Sequence, residues 1–148
     1  MTLIRLTKEF RFEMAHVLEG YDGPCRNVHG HSYILYITVI GSPINDPANF
    51  KNGMVMDFGD LKKFVNKSIT DRFDHSIVIN RNSNKLAAVC NDLFGKVEEV
   101  DFQPTCENLV VYFASLIKSQ LPKEVELHHI RLFETASSYA EWFASDNR

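Results

Sequence analysis

A chain of 148 residues fits one domain, spanning 1–148, and is long enough to bury a core without disulfide staples. Its formal charge of −3, from 16 Lys and Arg against 19 Asp and Glu, comes with no basic run and argues against nucleic acid as the main partner. Three cysteines, odd in number and irregularly spaced, fit a reducing compartment, and no apolar stretch approaches the ~18 residues of a membrane span. A soluble, cytoplasmic protein without a membrane partner is expected.

Residues 3–16 and 29–40 alternate apolar and polar side chains around the turn-rich Gly20-Tyr-Asp-Gly-Pro24. They predict an antiparallel strand pair joined by a long loop that carries Cys25. After Gly41-Ser-Pro-Ile-Asn-Asp-Pro47, the spacing of Leu61, Phe64, Val65, Ser68, Ile69 and Phe73 predicts a helix over 58–73 with Asp57 as its N-cap. A short helix is expected over 85–94, with Cys90 on its apolar side as a small core hydrophobe. Pro104-Thr105 introduces a third helix, lined by Leu109, Tyr112, Phe113, Leu116 and Ile117 and stopped by Pro122, with Thr105 able to cap it. Two more strands, about 125–134 and 137–144, close the chain. The order predicts an α+β fold with helices on one face of an antiparallel sheet. Strand 33–40 is apolar on both faces, so a sheet covered only by its own helices would leave one such face wet; a partner subunit or barrel closure is expected.

Most of the chemistry is concentrated near His29-Gly30-His31. Side chains at i and i+2 of a strand leave the same face, so His29 and His31 project together as a two-point grip on a metal ion. His16, ending the first alternating run, offers a third imidazole, and three imidazoles leave a fourth position of Zn²⁺ open as catalytic zinc requires. Cys25 is able to reach the same space, and its spacing alone leaves open whether it completes a closed Cys-His₃ site. Asp74-His75 follows the first long helix. In a loop the acid can orient the ring, while the alternative is a solvated histidine at a helix end. Glu134 shares the parity of Ile130 and Leu132, and a carboxylate buried there is costly unless it binds something. A heterocycle edge with adjacent N–H donors would satisfy both its oxygens, and a solvent-exposed strand end is the alternative. Glu107, in the first turn of its helix, favours the helix dipole. His128 and His129 point to opposite faces and cannot chelate as a pair.

In chain order, Phe12-Glu-Met-Ala-His16, Cys25-Arg-Asn-Val-His-Gly-His31, Gly53-Met-Val-Met-Asp-Phe58, Asp74-His75, Pro104-Thr-Cys-Glu-Asn108 and Glu134-Thr135 cover nearly the whole chain. This series resembles the superfamily of 6-pyruvoyltetrahydropterin and 6-carboxytetrahydropterin synthases. The resemblance implies the tunnelling fold, a strand-strand-helix-helix-strand-strand subunit whose trimer closes a 12-stranded antiparallel barrel, with two trimers stacked as a homohexamer. It implies zinc on His16, His29 and His31, a catalytic Cys25 base, and a proton-transfer role for Asp74 and His75. It further implies that Glu134 anchors a pterin ring, helped by Thr105, Cys106 and Glu107, in pockets shared between subunits.

The implied substrate is 7,8-dihydroneopterin triphosphate. One branch of the superfamily keeps the remaining side chain and supplies tetrahydrobiopterin synthesis; the other cleaves it, releases acetaldehyde and feeds queuosine and deazapurine synthesis. Three residues separate Cys25 from His29, the spacing typical of the bacterial 6-carboxy branch, whereas animal 6-pyruvoyl enzymes usually have five. The ending Glu134-Thr-Ala-Ser-Ser-Tyr-Ala-Glu-Trp142 also resembles the 6-carboxy side. An aldolase branch carries Glu in place of the cysteine, which Cys25 argues against, and a non-catalytic zinc-binding assembly module is the reading from another class. Residues 76–103 form a longer connection than compact bacterial members have, with a surface excursion expected at Asn80-Arg-Asn-Ser-Asn84.

Overall fold

The computed structural model describes all residues, Met1 to Arg148. Strands β1 (Ile4–His16) and β2 (His29–Gly41) pair antiparallel from Ile4↔Gly41 to His16↔His29. Alternation buries Phe10, Phe12, Met14 and His16 on one face of β1 and leaves Glu9, Arg11 and Glu13 on the other. Helix α1 (Phe58–Val65) starts at Asp57, whose carboxylate accepts the Gly59 N–H at 2.6 Å as the capping expectation required. It runs on through a π-helical turn, Asn66–Thr70, into the short α2 (Asp71–Phe73).

The π turn departs from the regular helix predicted over 58–73, and the packing explains it. The buried set Leu61, Val65, Ile69 and Phe73 steps by four throughout. In a regular α-helix each such step drifts ~40° around the axis, and one wider turn takes up part of that drift.

Helix α4 (Cys106–Lys118) begins at Thr105, whose hydroxyl accepts the Asn108 N–H at 3.2 Å. Strands β5 (Val125–Thr135) and β6 (Ser138–Phe143) complete the antiparallel part of the sheet. The helices cover one sheet face, where Leu61, Ile69, Phe73, Leu109, Phe113 and Ile117 pack against Leu35, Ile37, Ile130 and Leu132. On the opposite face of β2, Ile34, Tyr36 and Ile40 are only half-buried.

The sheet as a whole is not antiparallel. It has six strands in the order β4-β3-β1-β2-β5-β6, because 76–103 contributes β3 (Ser76–Asn80), α3 (Asn84–Leu93) and β4 (Val97–Val100). Strand β3 lies parallel to β1, and β4 parallel to β3. Ser76-Ile-Val-Ile is buried on both faces and has no alternation to read, as expected of a parallel strand, and α3 supplies the crossover that parallel pairing needs. Cys90 packs in a small satellite core with Val17, Ile77 and Ile79. No helix is long and apolar enough to cross a membrane.

Candidate active site

The strand register assembles the histidines. His16 lies directly across from His29, and Met14 across from His31, so all three rings converge at the loop end of the β1–β2 pair. Ring centroids are 4.6 to 5.2 Å apart, and one nitrogen from each ring falls within 4.8 Å of the others. Gly30 permits the close approach of the strands, since a Cβ there would meet the Met14 carbonyl oxygen at 3.3 Å.

The hydrogen bonds assign the tautomers. His16 Nδ1 lies 2.7 Å from the Pro104 carbonyl, and His29 Nδ1 lies 2.7 Å from the Asn27 carbonyl. A carbonyl only accepts, so each Nδ1 carries the proton and donates it, leaving each Nε2 with a bare lone pair. Those two Nε2 atoms are 3.0 Å apart, an arrangement that is repulsive without a cation between them. His31 Nε2 is buried without a hydrogen-bond partner, its closest charged neighbour being a Glu134 oxygen at 3.3 Å. Burial depresses the pKa values of His16 and His31, favouring the neutral rings that a metal needs. The donor set fits a borderline-soft cation such as Zn²⁺, with the two carbonyls orienting the ligand rings from behind.

Beside this cluster is a cavity of about 330 Å³ lined by Cys25, Thr105, Cys106, Glu107, Glu134 and Tyr139, among others. Cys25 sits in a short 3₁₀ turn, Pro24–Arg26, and is partly exposed. Cys106 differs from it: its Sγ donates to the Leu132 carbonyl at 3.3 Å, and burial pushes the thiol up to about 12. Glu134 lies where the β5–β6 register shifts between Phe133 and Thr135, an irregularity of the kind that re-aims a side chain at a strand end. Its side chain is 22% exposed and turned toward His31, so the inward parity is the one realised.

Asp74 and His75 form a corner of another kind. His75 has φ 58°, the left-handed region, which costs a non-glycine residue roughly 1–2 kcal/mol. The corner is held by β1: Glu13 N–H donates to Asp74 Oδ1 at 2.9 Å, and the His75 N–H donates to the Glu13 carbonyl at 2.6 Å. Asp74 Oδ1 stands 3.0 Å from His75 Nδ1, so neighbours in sequence do meet side chain to side chain here. The Glu13 N–H foremost, then the His75 ring and the Lys96 charge, hold the Asp74 carboxyl below its ordinary range against a smaller opposing effect of burial.

A single chain does not unite every expected site residue. His75 lines a second cavity, of about 530 Å³, with Glu13, Gly30, His31, Ser32 and Lys96, whereas Cys25 and Glu134 line the first. Glu13, Gly30 and Ser32 alternate with the histidines along their strands and so belong to the other face of the sheet. The Pro104 and Asn27 carbonyls are functional groups that the sequence does not announce: Pro104-Thr105 signals a helix start and part of a family motif, and neither points to a carbonyl behind a histidine ring.

A family description, 6-pyruvoyl tetrahydropterin synthase, matches residues 5–145. The 6-carboxy-5,6,7,8-tetrahydropterin synthase of Haemophilus influenzae is 35% identical over 143 residues, covering 95% of this chain and 99% of the relative. That of a Synechocystis species is 31% identical over 138 residues, covering 93% and 91%. Among solved structures, an uncharacterized protein of Wolinella succinogenes superposes with a TM-score of 0.77 at 20% identity, covering 97% of this chain and 99% of its own. The 6-pyruvoyl tetrahydropterin synthase of Caenorhabditis elegans superposes with a TM-score of 0.68 at 23% identity, covering 97% of each. These structures share the fold. With its ordered motifs, its sheet and its full-length likeness to curated bacterial enzymes, this chain belongs to the 6-pyruvoyl tetrahydropterin synthase family of lyases and stands with its 6-carboxy-5,6,7,8-tetrahydropterin synthase branch.

Proposed function

We propose that this protein converts 7,8-dihydroneopterin triphosphate into 6-carboxy-5,6,7,8-tetrahydropterin, releasing acetaldehyde and triphosphate, in the cytoplasmic route to queuosine and related deazapurines. The observation that carries this reading is the cluster of three imidazole Nε2 atoms, two bared by carbonyls and one buried without a hydrogen-bond partner, beside a cavity that holds a thiol and a carboxylate. The product is taken from the names of the bacterial relatives.

In this reading His16, His29 and His31 hold Zn²⁺, which when bound supplies Lewis-acid polarisation of the substrate's side-chain hydroxyls. Glu134 accepts the N–H donors of the pterin edge, with Thr105, Cys106 and Glu107 lining the same cavity. Cys25 takes the proton from the side-chain carbon next to the ring. His75, its Nδ1 facing the Asp74 carboxylate, exchanges a proton with the side chain through its other nitrogen.

Triphosphate leaves, the side chain becomes a pair of adjacent carbonyls and the ring takes up the electrons. One water then cleaves the bond between those carbonyls to give the carboxylate and acetaldehyde, with no external reductant. Because Cys25 and His75 line separate cavities, a complete set draws His75 from a second copy, in keeping with a homohexamer of two stacked trimers, each closing a 12-stranded barrel. The half-buried Ile34, Tyr36 and Ile40 suit such a closure.

The test is incubation of purified, zinc-loaded protein with 7,8-dihydroneopterin triphosphate and no reductant, followed by mass spectrometry and an aldehyde trap. Equal amounts of 6-carboxytetrahydropterin and trapped acetaldehyde are expected. Accumulation of 6-pyruvoyltetrahydropterin without acetaldehyde would move the protein to the biopterin branch.

A further inference from the structure

The connection over 76–103 lines the cavity of His75 with Ser76, Ile77, Phe94, Gly95 and Lys96, and of these Lys96 also reaches the Asp74 backbone with its side chain. Lys96 stands just before β4, and its backbone carbonyl accepts the Ile77 N–H at 3.1 Å, which fixes it beside the start of β3. From there its ammonium donates to the Asp71 carbonyl at 2.8 Å and to the Asp74 carbonyl at 2.6 Å. Asp71 opens the last helical turn and Asp74 is its C-cap, so these carbonyls belong to a helix end that lacks partners of its own. A cation there also complements the negative end of the helix dipole.

The next residue is His75 in its left-handed conformation. A strained residue persists only where its surroundings over-determine it. Here β1 grips the Asp74 carboxylate and the His75 N–H, and Lys96 grips the Asp74 carbonyl from the other side. Lys96 also lines the cavity into which His75 opens.

We propose that Lys96, brought in by the β3–α3–β4 segment, is a positioning residue that fixes the Asp74–His75 turn and so aims the His75 ring for proton transfer. The inference rests on His75 having that role in the proposed reaction. It gives the added strands a function: they carry the second half of a clamp whose first half is β1. A guanidinium can reach two carbonyls as an ammonium does, while an isosteric apolar side chain cannot.

The test compares zinc-loaded Lys96→Met and Lys96→Arg with the parent protein. Hydrogen exchange of the His75 amide, read against the core amides of Leu35 and Ile37, should quicken about tenfold or more in Lys96→Met with the core amides unchanged, and return close to the parent rate in Lys96→Arg. With 7,8-dihydroneopterin triphosphate, Lys96→Met should lose about tenfold or more in kcat with KM nearly unchanged, and Lys96→Arg should recover most of it. Unchanged exchange at His75, an equal loosening of the core amides, or a full kcat in Lys96→Met would each overturn the proposal. No turnover by the parent protein would overturn the functional reading instead, and amide exchange would still decide whether Lys96 holds the turn.

Discussion

The histidine cluster and the Asp74–His75 corner lie on the same molecule and are made in opposite ways. His16, His29 and His31 are placed by two regular strands, and two of them gain their orientation from carbonyls behind the rings. His75 occupies a strained turn, its side chain 77% exposed, held by hydrogen bonds from elements far away in sequence. The cluster is therefore a stiff site built into regular backbone; the corner is an exposed ring kept in one pose by a clamp. In the proposed reaction the first would hold the metal and the second would carry a proton.

The contrast is broken most directly by removing one imidazole. His31→Ala should strip most of the zinc and abolish turnover, whereas Cys25→Ala should keep its metal, measured by elemental analysis, and still lose activity. Equal zinc loss in both variants would make Cys25 a ligand and extend the stiff site into the loop. Glu134→Gln comes next. Replacing one acceptor by a donor should weaken binding of 7,8-dihydroneopterin triphosphate by ~1.5–3 kcal/mol with metal content unchanged. Near-normal affinity by calorimetry would remove Glu134 from ring recognition.

The corner is sharpened by smaller effects. Glycine adopts positive φ freely, so His75→Gly should be more stable than His75→Ala by roughly 1 kcal/mol in denaturant titration, although both lose the ring. Equal stabilities would mean that the turn is not strained. The smallest effect concerns acid. The folded-state pKa of Asp74 is depressed, chiefly by the Glu13 N–H, so its stabilising contribution is present above the unfolded value of ~3.9 and is lost as pH falls through the lower folded value. A carboxyl carbon titration by NMR should place the Asp74 midpoint below ~3.9; a midpoint at or above it would show that the clamp from β1 is not made.

How much of this was legible in the sequence depended on whether the cause was local. The His-x-His parity, the caps at Asp57 and Thr105, and the inward parity of Glu134 follow from residues a few positions apart, and the structure has them. The parallel partner of Ser76-Ile-Val-Ile was hidden because a strand buried on both faces carries no periodicity, and its partner lies about sixty residues away. The π turn arises from packing drift over three helical steps. The register shift at Glu134 depends on how β5 pairs with β6, and the reach of Lys96 to Asp71 and Asp74 on a crossover invisible at the level of composition.

The same sheet sets an order of assembly. All the rungs between β1 and β2 close across one loop, and with them come the three histidines, whereas the rungs to β3 and β4 require chain as far as residue 100. Loop-closure entropy favours the near pairing first, so the antiparallel hairpin should form early and the parallel half should dock onto it late. Substitutions in β4, such as Val100→Ala, should then speed unfolding and leave the folding rate almost untouched, while Tyr33→Ala should slow folding. The growing chain would thus carry the paired histidine strands before it carries Lys96 and its contacts to Asp71 and Asp74.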